Sequence, residues 1–288
     1  MANRFKAEVA GLNLRLHPHS PARYRELWKA AFSRKKIIKM RGDRSGLITV
    51  LSKISDDALY INGVLSTFLE IDWDGTWLDT NTLAEADDTE VAKISVPDNL
   101  RPNAMNFYFR FDVKNHEIIF EHYGSGHRLT INSALNFFSN LFRDSKIKKQ
   151  FGDVKITIIQ SKGSIEKIFS IARITNIEVY IERPNSDLWD GDFEELAEEH
   201  LEDKNARSMT VIYKSEPGRG IERDEDLNAL VRTSIRNGRT IAKGYGVNGH
   251  ETITTDEFPK IMQGKFDPEF ASDSTAFQHL ADQFRRKQ

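Results

Sequence analysis

The chain has 288 residues, of which 39% are hydrophobic and 29% are charged, and its formal net charge is −2. This composition allows one large or two medium-sized domains with a buried core, and it excludes global disorder. The complete lack of cysteine excludes disulfides, thiolate zinc sites and cysteine nucleophiles. No run approaches the roughly 20 apolar residues of a membrane span, and the first residues lack a signal peptide's apolar centre, so we expect a cytoplasmic protein.

The first hundred residues begin with a predicted strand and a predicted helix. Residues 5–16 alternate between apolar and polar side chains, and a helix that begins at Ser20 or Pro21 follows. The end of this helix is rich in basic residues. The helix macrodipole stabilises cations at a helix C-terminus, but it accounts for only two or three of them. A phosphate-facing patch is the alternative for the rest, and its predicted members are Arg34, Lys35, Lys36 and Lys39. Two further strands, at 47–52 and 58–68, precede an acidic surface excursion at 83–90.

The stretch from Met105 to Arg183 has the most regular pattern in the chain. Phe107, Phe109 and Phe111 alternate with polar residues, which predicts one strand of an antiparallel hairpin with a buried face. We interpret these aromatic side chains as core and not as a surface on which bases stack. A helix capped by Thr130, a strand at 154–158, a helix capped by Ser164 and a strand at 177–181 follow. This order predicts one sheet with helices on one face.

The composition changes after a candidate domain boundary at 184–186. Residues 187–203 contain nine carboxylates with helical apolar spacing, which indicates an acidic amphipathic helix. A solvated face is the simple interpretation. The alternative is a surface that docks on a basic partner through Glu194, Glu195, Glu198 and Glu199.

A second basic region lies between Leu227 and His250, where the sequence contains no acid. Here a helix capped by Asp226 is predicted to carry Arg232 and Arg236 on its outer face and to end in a left-handed stop at Asn237-Gly238. A strand with Arg239 and Lys243 on one side and a hairpin at Asn248-Gly249 follow. A solvated face and a phosphate-binding patch are equal alternatives. The predicted phosphate contacts are Arg232, Arg236, Arg239 and Lys243, together with Arg285 and Arg286 at the end of a last helix.

The sequence contains no strong catalytic motif. It has no Gly-x-Ser-x-Gly elbow, no phosphate loop with Gly-Lys-Ser/Thr and no His-Glu-x-x-His zinc motif. We therefore predict no cofactor, no metal site and no catalytic residue. One alternative is a magnesium nuclease, since Asp144 precedes the acid-x-Lys pair formed by Asp153 and Lys155.

These elements predict an α+β fold in which a mixed or antiparallel sheet packs with helices. We expect an N-terminal α+β domain at 1–183 and a smaller α/β domain, with a helix and a hairpin, at 184–288.

The layout of residues 105–284 resembles that of the RexA-like prophage exclusion proteins and related bacterial phage-defence proteins. The similarity includes the Phe-rich hairpin followed by Thr130–Phe138, the strand Ile177–Ile181, the acidic helix, and the late helix with its hairpin. The resemblance implies a cytoplasmic homodimer that binds duplex DNA with little sequence preference. It would act as a non-enzymatic sensor in antiviral defence beside a co-encoded membrane or effector protein. Since the chain is slightly acidic, such binding requires its cations to converge locally.

Overall fold

The computed structural model describes residues 4–183, 192–247 and 249–286, with the backbone alone at 192–194 and 285–286. The fold is α+β, as predicted. The described helices are α1 (Pro21–Ser33), α2 (Asp88–Val91), α3 (Ile131–Phe142), α4 (Ser145–Phe151), α5 (Gly163–Ile168), α6 (Asp192–Asp203), α7 (Glu225–Asn237) and α8 (Asp273–Arg286). None of them is both long enough and apolar enough to cross a membrane.

The strands form one large antiparallel sheet, one smaller sheet and a two-stranded ribbon. They are β1 (Phe5–Leu16), β2 (Ile38–Arg41), β3 (Arg44–Leu51), β4 (Tyr60–Leu69), β5 (Leu78–Asp79), β6 (Ala84–Glu85), β7 (Met105–Asp112), β8 (Glu117–Gly124), β9 (His127–Arg128), β10 (Val154–Ile158), β11 (Arg173–Glu182), β12 (Ser208–Lys214), β13 (Gly238–Gly246), β14 (Gly249–Thr254) and β15 (Ile261–Phe266).

The large sheet has the order β10-β1-β8-β7-β4-β3-β2, and β15 and β9 pair with β1 and β8. Its strand β1 pairs with three other strands. Along one edge of β1, the first half pairs with β15 and the second half pairs with β10. Along its other edge, β1 pairs with β8. This arrangement makes β10 an outer strand, which the second sheet approaches.

The main core lies between the large sheet and the helices α1 and α3. Trp28 of α1 packs 5.3 Å, centroid to centroid, from both Phe109 and Phe142. The alternating phenylalanines of β7 are buried here, as predicted for a core face. The helix α8, which lies outside the stretch 105–183, packs its apolar side against the opposite face of β1 and β8, so the large sheet is covered on both faces. The alternation of β7 gave no sign of this, since the residues of α8 lie more than 150 positions further along the chain.

The smaller sheet has the order β12-β11-β13-β14, and α7 covers one of its faces. The strand predicted at 177–181 belongs here, paired with β12 and β13, and does not complete the sheet formed by 105–158. A two-residue period identifies a strand and its buried face, but it does not identify the neighbouring strand. The candidate boundary at 184–186 lies outside the described residues. The strand β15 and the helix α8 belong to the predicted C-terminal domain but pack with the large sheet. The division into two domains at 183/184 therefore stays a prediction.

Buried hydrogen bonds join the two sheets. The guanidinium of Arg15 on β1 donates to the backbone carbonyl oxygens of Arg236 (2.9 Å) and Asn237 (3.2 Å) at the end of α7. The amide of Gln160, just beyond β10, donates to the carbonyl oxygen of Gly238 at 2.9 Å. These contacts satisfy the last carbonyl groups of the helix and hold the start of β13 beside β10.

A segment of 35 residues, 70–104, extends between β4 and β7 without contributing to any core. It contains α2 and the β5–β6 ribbon, and none of its residues is buried. It carries nine acidic and two basic residues. We refer to it as the acidic arm, and it includes the surface excursion predicted at 83–90.

Candidate nucleic-acid interface

The start of α7 and the start of β13 determine where the second basic region points. The carboxylate of Asp224, not Asp226, caps α7 by accepting a hydrogen bond from the Leu227 backbone N–H at 2.7 Å. Gly238 is not a left-handed stop, because its φ of 171° is extended. A Cβ at this position would lie 1.9 Å from the carbonyl oxygen of Tyr180, so glycine permits the close approach of β13 to β11. As a result β13 follows α7 directly.

The face of the smaller sheet opposite α7 carries alternating polar and aromatic side chains, and we call it the open face. On β13 it presents Arg239, Lys243 and Tyr245, all exposed and on one side as predicted. The paired strands add Tyr180 beside Arg239 and Arg173 beside Tyr245. The open face therefore combines cations and aromatic rings in adjacent rows.

A cleft of about 670 Å³ separates one end of the open face from the large sheet. One wall consists of residues from α3, α4 and β10, and the other consists of residues from β11 and β13. Four cations line it, namely Arg143, Lys148, Lys155 and Arg239. The cleft therefore brings basic residues of both sheets to one place.

The carboxylates of the cleft engage some of these cations but not all. Lys148 lies 2.8 Å from Asp153, which also pairs with Arg207, and Lys155 lies 3.8 Å from Glu182. Arg143 and Arg239 are exposed and form no ion pair with any carboxylate that the structure describes. These two guanidinium groups are the ones best placed to meet an external anion.

The pKa values of two aspartates that line the cleft are shifted in opposite directions. Hydrogen bonds from Lys148 and Arg207 lower the pKa of Asp153, so its carboxylate stays charged and neutralises its partners. Burial raises the pKa of Asp256, although Arg239 and a hydrogen bond from Gln160 oppose that shift. Asp256 therefore releases its proton at a higher pH than an ordinary aspartate does.

The predicted N-terminal patch is partly engaged by a buried carboxylate. Asp144 lies 3.0 Å from the Arg34 Nε and 3.0 Å from the Lys36 Nζ. Burial alone would raise the pKa of Asp144, but the hydrogen bonds from Lys36 and the Lys146 backbone N–H, with the charge of Arg34, lower it overall. Lys35 and Lys39 are exposed on the surface beside this pair.

The residues that connect the two predicted patches were missed by sequence reasoning. Asp144 is the N-cap of α4, and Arg143, the residue before it, lines the cleft. The short helix α4 adds three exposed lysines, of which Lys148 lines the cleft. We call the resulting surface the basic track; its members are Lys35, Lys36, Lys39, Arg143, Lys146, Lys148, Lys149, Lys155, Arg239 and Lys243. The signal available in the sequence was the run Lys146, Lys148 and Lys149 within seven residues.

Arg232 and Arg236 of the second patch lie outside the track, as does Arg34 of the N-terminal patch, which is paired with Asp144. Arg232 is exposed on α7, but Arg236 is half-buried, with its Nη2 3.8 Å from the Glu117 Oε1. The prediction that they share an outer face is wrong, because the last turn of α7 docks against the large sheet. The side chains of Arg285 and Arg286 lie outside the described residues, and their helix α8 packs on the face of the large sheet opposite α3.

The residues of the alternative nuclease do not assemble into one site. Asp153 and Lys155 line the cleft, whereas Asp144 is outside it and is engaged with Arg34 and Lys36. Within the described part of the chain, no group of three or more histidine, aspartate or glutamate side chains is arranged to hold a metal ion.

The acidic helix α6 presents fewer free carboxylates than its sequence indicates. Glu198 is buried and lies 3.9 Å from Arg183, which also pairs with Glu202 at 3.0 Å. Glu195 is half-buried and Glu199 is exposed, while the side chain of Glu194 lies outside the described residues. The partner-docking alternative therefore rests on a smaller acidic surface than predicted.

A family model described as "Domain of unknown function (DUF4747)" matches residues 5–282 of the chain. Among proteins with curated descriptions, none matches it.

Proposed function

This chain belongs to the DUF4747 family, and we propose that it binds DNA without sequence preference along the basic track. The observation that supports this proposal is the meeting of Arg143, from the large sheet's helices, with Arg239 across one cleft. The cleft thereby brings together cations that are far apart in the sequence.

The chemistry of the track favours phosphate contacts over base recognition. Lysine and arginine side chains neutralise phosphates and release condensed counterions, which supplies affinity for any sequence. Most of the track lies on exposed helix and strand surfaces without a projecting recognition element. The nearly neutral net charge does not oppose this, because the charges are segregated: the acidic arm has nine acidic residues and only two basic ones.

The biological setting remains a proposal drawn from the RexA-like resemblance. It comprises a sensor role in antiviral defence and phage exclusion, a cytoplasmic homodimer, and a co-encoded membrane or effector partner. Duplex DNA is the partner that this resemblance implies.

Binding is tested with two triple variants of equal net charge. The track variant carries Arg143→Gln, Arg239→Gln and Lys243→Gln. The control variant carries Lys53→Gln, Lys114→Gln and Lys265→Gln, three exposed lysines outside the track. Fluorescence anisotropy against several unrelated sequences, each over a salt series, measures affinity and its salt dependence.

We expect the track variant to bind every sequence more weakly and to reduce the slope of log affinity against log salt by about 3, since each lost phosphate contact contributes roughly 0.9. The control variant should match the wild type. Equal weakening in both variants would show that only the overall charge matters, and unchanged binding in the track variant would overturn the proposal.

A further inference from the structure

We infer that the open face of the smaller sheet binds an unpaired nucleic-acid strand, and that it adds to the basic track a preference for single-stranded over duplex DNA. This inference rests on the proposed function, since the track supplies the phosphate contacts. It concerns a different feature, the aromatic and guanidinium groups on a flat sheet surface.

The end of the open face carries a cluster of three planar groups. The Arg173 guanidinium lies 4.6 Å from the centroid of the Tyr245 ring, and the His250 ring lies 5.7 Å from that ring on its other neighbouring strand. The three residues are cross-strand partners in one row of the sheet. Tyr245 nevertheless remains 47% exposed, so much of its ring is available to a ligand.

The next rows of the open face supply positive charge. Lys243 pairs across the sheet with Asn176, and Asn176 pairs with Lys214 on the outer strand. Both lysines are exposed. The three rows that run through Lys243, Ile241 and Arg239 contain one carboxylate among their described residues, that of Glu178. A polyanion lying across the face would therefore meet cations beside the planar cluster.

This combination is suited to bases that are not paired. Unpaired bases expose their π-faces and stack on aromatic side chains or on guanidinium planes, whatever their sequence. In a duplex the bases are stacked on each other, and a flat sheet face meets only the phosphate backbone. Tyr245 should therefore contribute to the binding of single strands and not to the binding of duplexes.

The sheet provides a matched control for this residue. Tyr213 on β12 is 42% exposed, and its cross-strand partner is the core residue Ile177, so it lies on the face opposite Tyr245. Tyr245→Ala and Tyr213→Ala thus remove the same exposed ring from opposite faces of the same sheet. Tyr245→Phe keeps the ring and serves as a second control for folding.

The experiment measures anisotropy with a labelled 20-nucleotide oligo-dT strand and with a blunt 20-base-pair duplex at one salt concentration. We expect the wild type to favour the single strand. Tyr245→Ala should lose roughly 5- to 150-fold in single-strand affinity, which is the range for one base–aromatic stack, with duplex affinity unchanged. Tyr213→Ala and Tyr245→Phe should bind like the wild type.

Tighter wild-type binding of the duplex, or equal effects of Tyr245→Ala on both ligands, would overturn the inference. So would equal losses in Tyr245→Ala and Tyr213→Ala. If the inference fails while the track triple variant still weakens binding, the proposed DNA-binding function stands. If the track triple variant binds like the wild type, the function itself fails.

Discussion

Glu121 is a buried carboxyl group on β8, on the side of the large sheet that α8 covers. Burial raises its pKa to about 7, against the hydrogen bond that it accepts from the Tyr108 backbone N–H, and the charge of Asp273 adds to the increase. Because the pKa is higher in the folded than in the unfolded chain, the folded state holds the proton more tightly. The free energy of unfolding should therefore fall as pH rises from about 4.5 through about 7, and the full penalty is reached above that pH.

Replacing this residue by its amide should remove that pH dependence. Glu121→Gln keeps the shape and the acceptor oxygen but cannot ionise, so it should be nearly neutral at pH 5 and stabilising by up to roughly 3 kcal/mol at pH 8. Urea unfolding at both pH values measures this. Glu216→Gln, at an exposed position, is the control. Equal effects of Glu121→Gln at pH 5 and pH 8 would contradict the raised pKa.

At the scale of single residues, the sequence predicted what local chemistry determines. Thr130 caps α3 as expected, by accepting a hydrogen bond from the Ser133 backbone N–H. The predictions from sequence failed where two neighbouring residues could both cap the helix, as with Asp224 and Asp226. They also failed where a contact between distant parts of the chain determines the conformation. Ser164 is not a cap but a buried residue inside α5. The close approach of Gly238 to Tyr180 depends on the register of β11 and β13, which no local pattern contains.

At the scale of elements, the acidic arm is hydrogen-bonded to the described rest of the fold at its two ends. The Glu70 backbone N–H donates to the Asp43 carbonyl oxygen at 2.7 Å, and the Leu69 backbone N–H donates to the Pro102 carbonyl oxygen at 3.0 Å. Several of its apolar side chains, including Leu78 and Leu83, are exposed, and the others are half-buried. Since no residue of the arm is buried, the arm adds little to the hydrophobic stabilisation of the core.

Replacing residues 72–100 by two glycines should therefore leave the fold intact. We expect the free energy of unfolding to change by less than about 1 kcal/mol, as is usual for changes away from buried groups. Chemical denaturation monitored by tryptophan fluorescence suits this test, because the buried Trp28 remains. Insoluble protein, or a free energy of unfolding that is lower by several kcal/mol, would mean that the arm shields the core.

The elements themselves were more predictable than their partners. Most strands and the longer helices follow from their apolar periods. The helix α4 was missed because its seven residues bury only Ile147 and Phe151, too few to establish a period. The strand β11 was identified, but its sheet was not, because pairing depends on elements that follow it in the chain.

At the scale of the whole molecule, a chain of net charge −2 separates its charges in space. The acidic arm holds nine carboxylates, while the cations of α4, β10 and β13 meet at the cleft. The sequence predicted the two ends of this basic surface, at Lys35 and Lys39 and at Arg239 and Lys243. It did not predict the connection, because only the packing of the two sheets places Arg143 opposite Arg239.

Photocrosslinking to bromouracil-substituted DNA, followed by peptide mass spectrometry, tests the central claim most directly, since it locates the DNA on the wild-type protein. We expect crosslinked peptides from residues 143–158 and 239–250, on the two sides of the cleft. Crosslinks confined to the acidic arm or to α8 and β15, or no saturable crosslinking at all, would contradict the account.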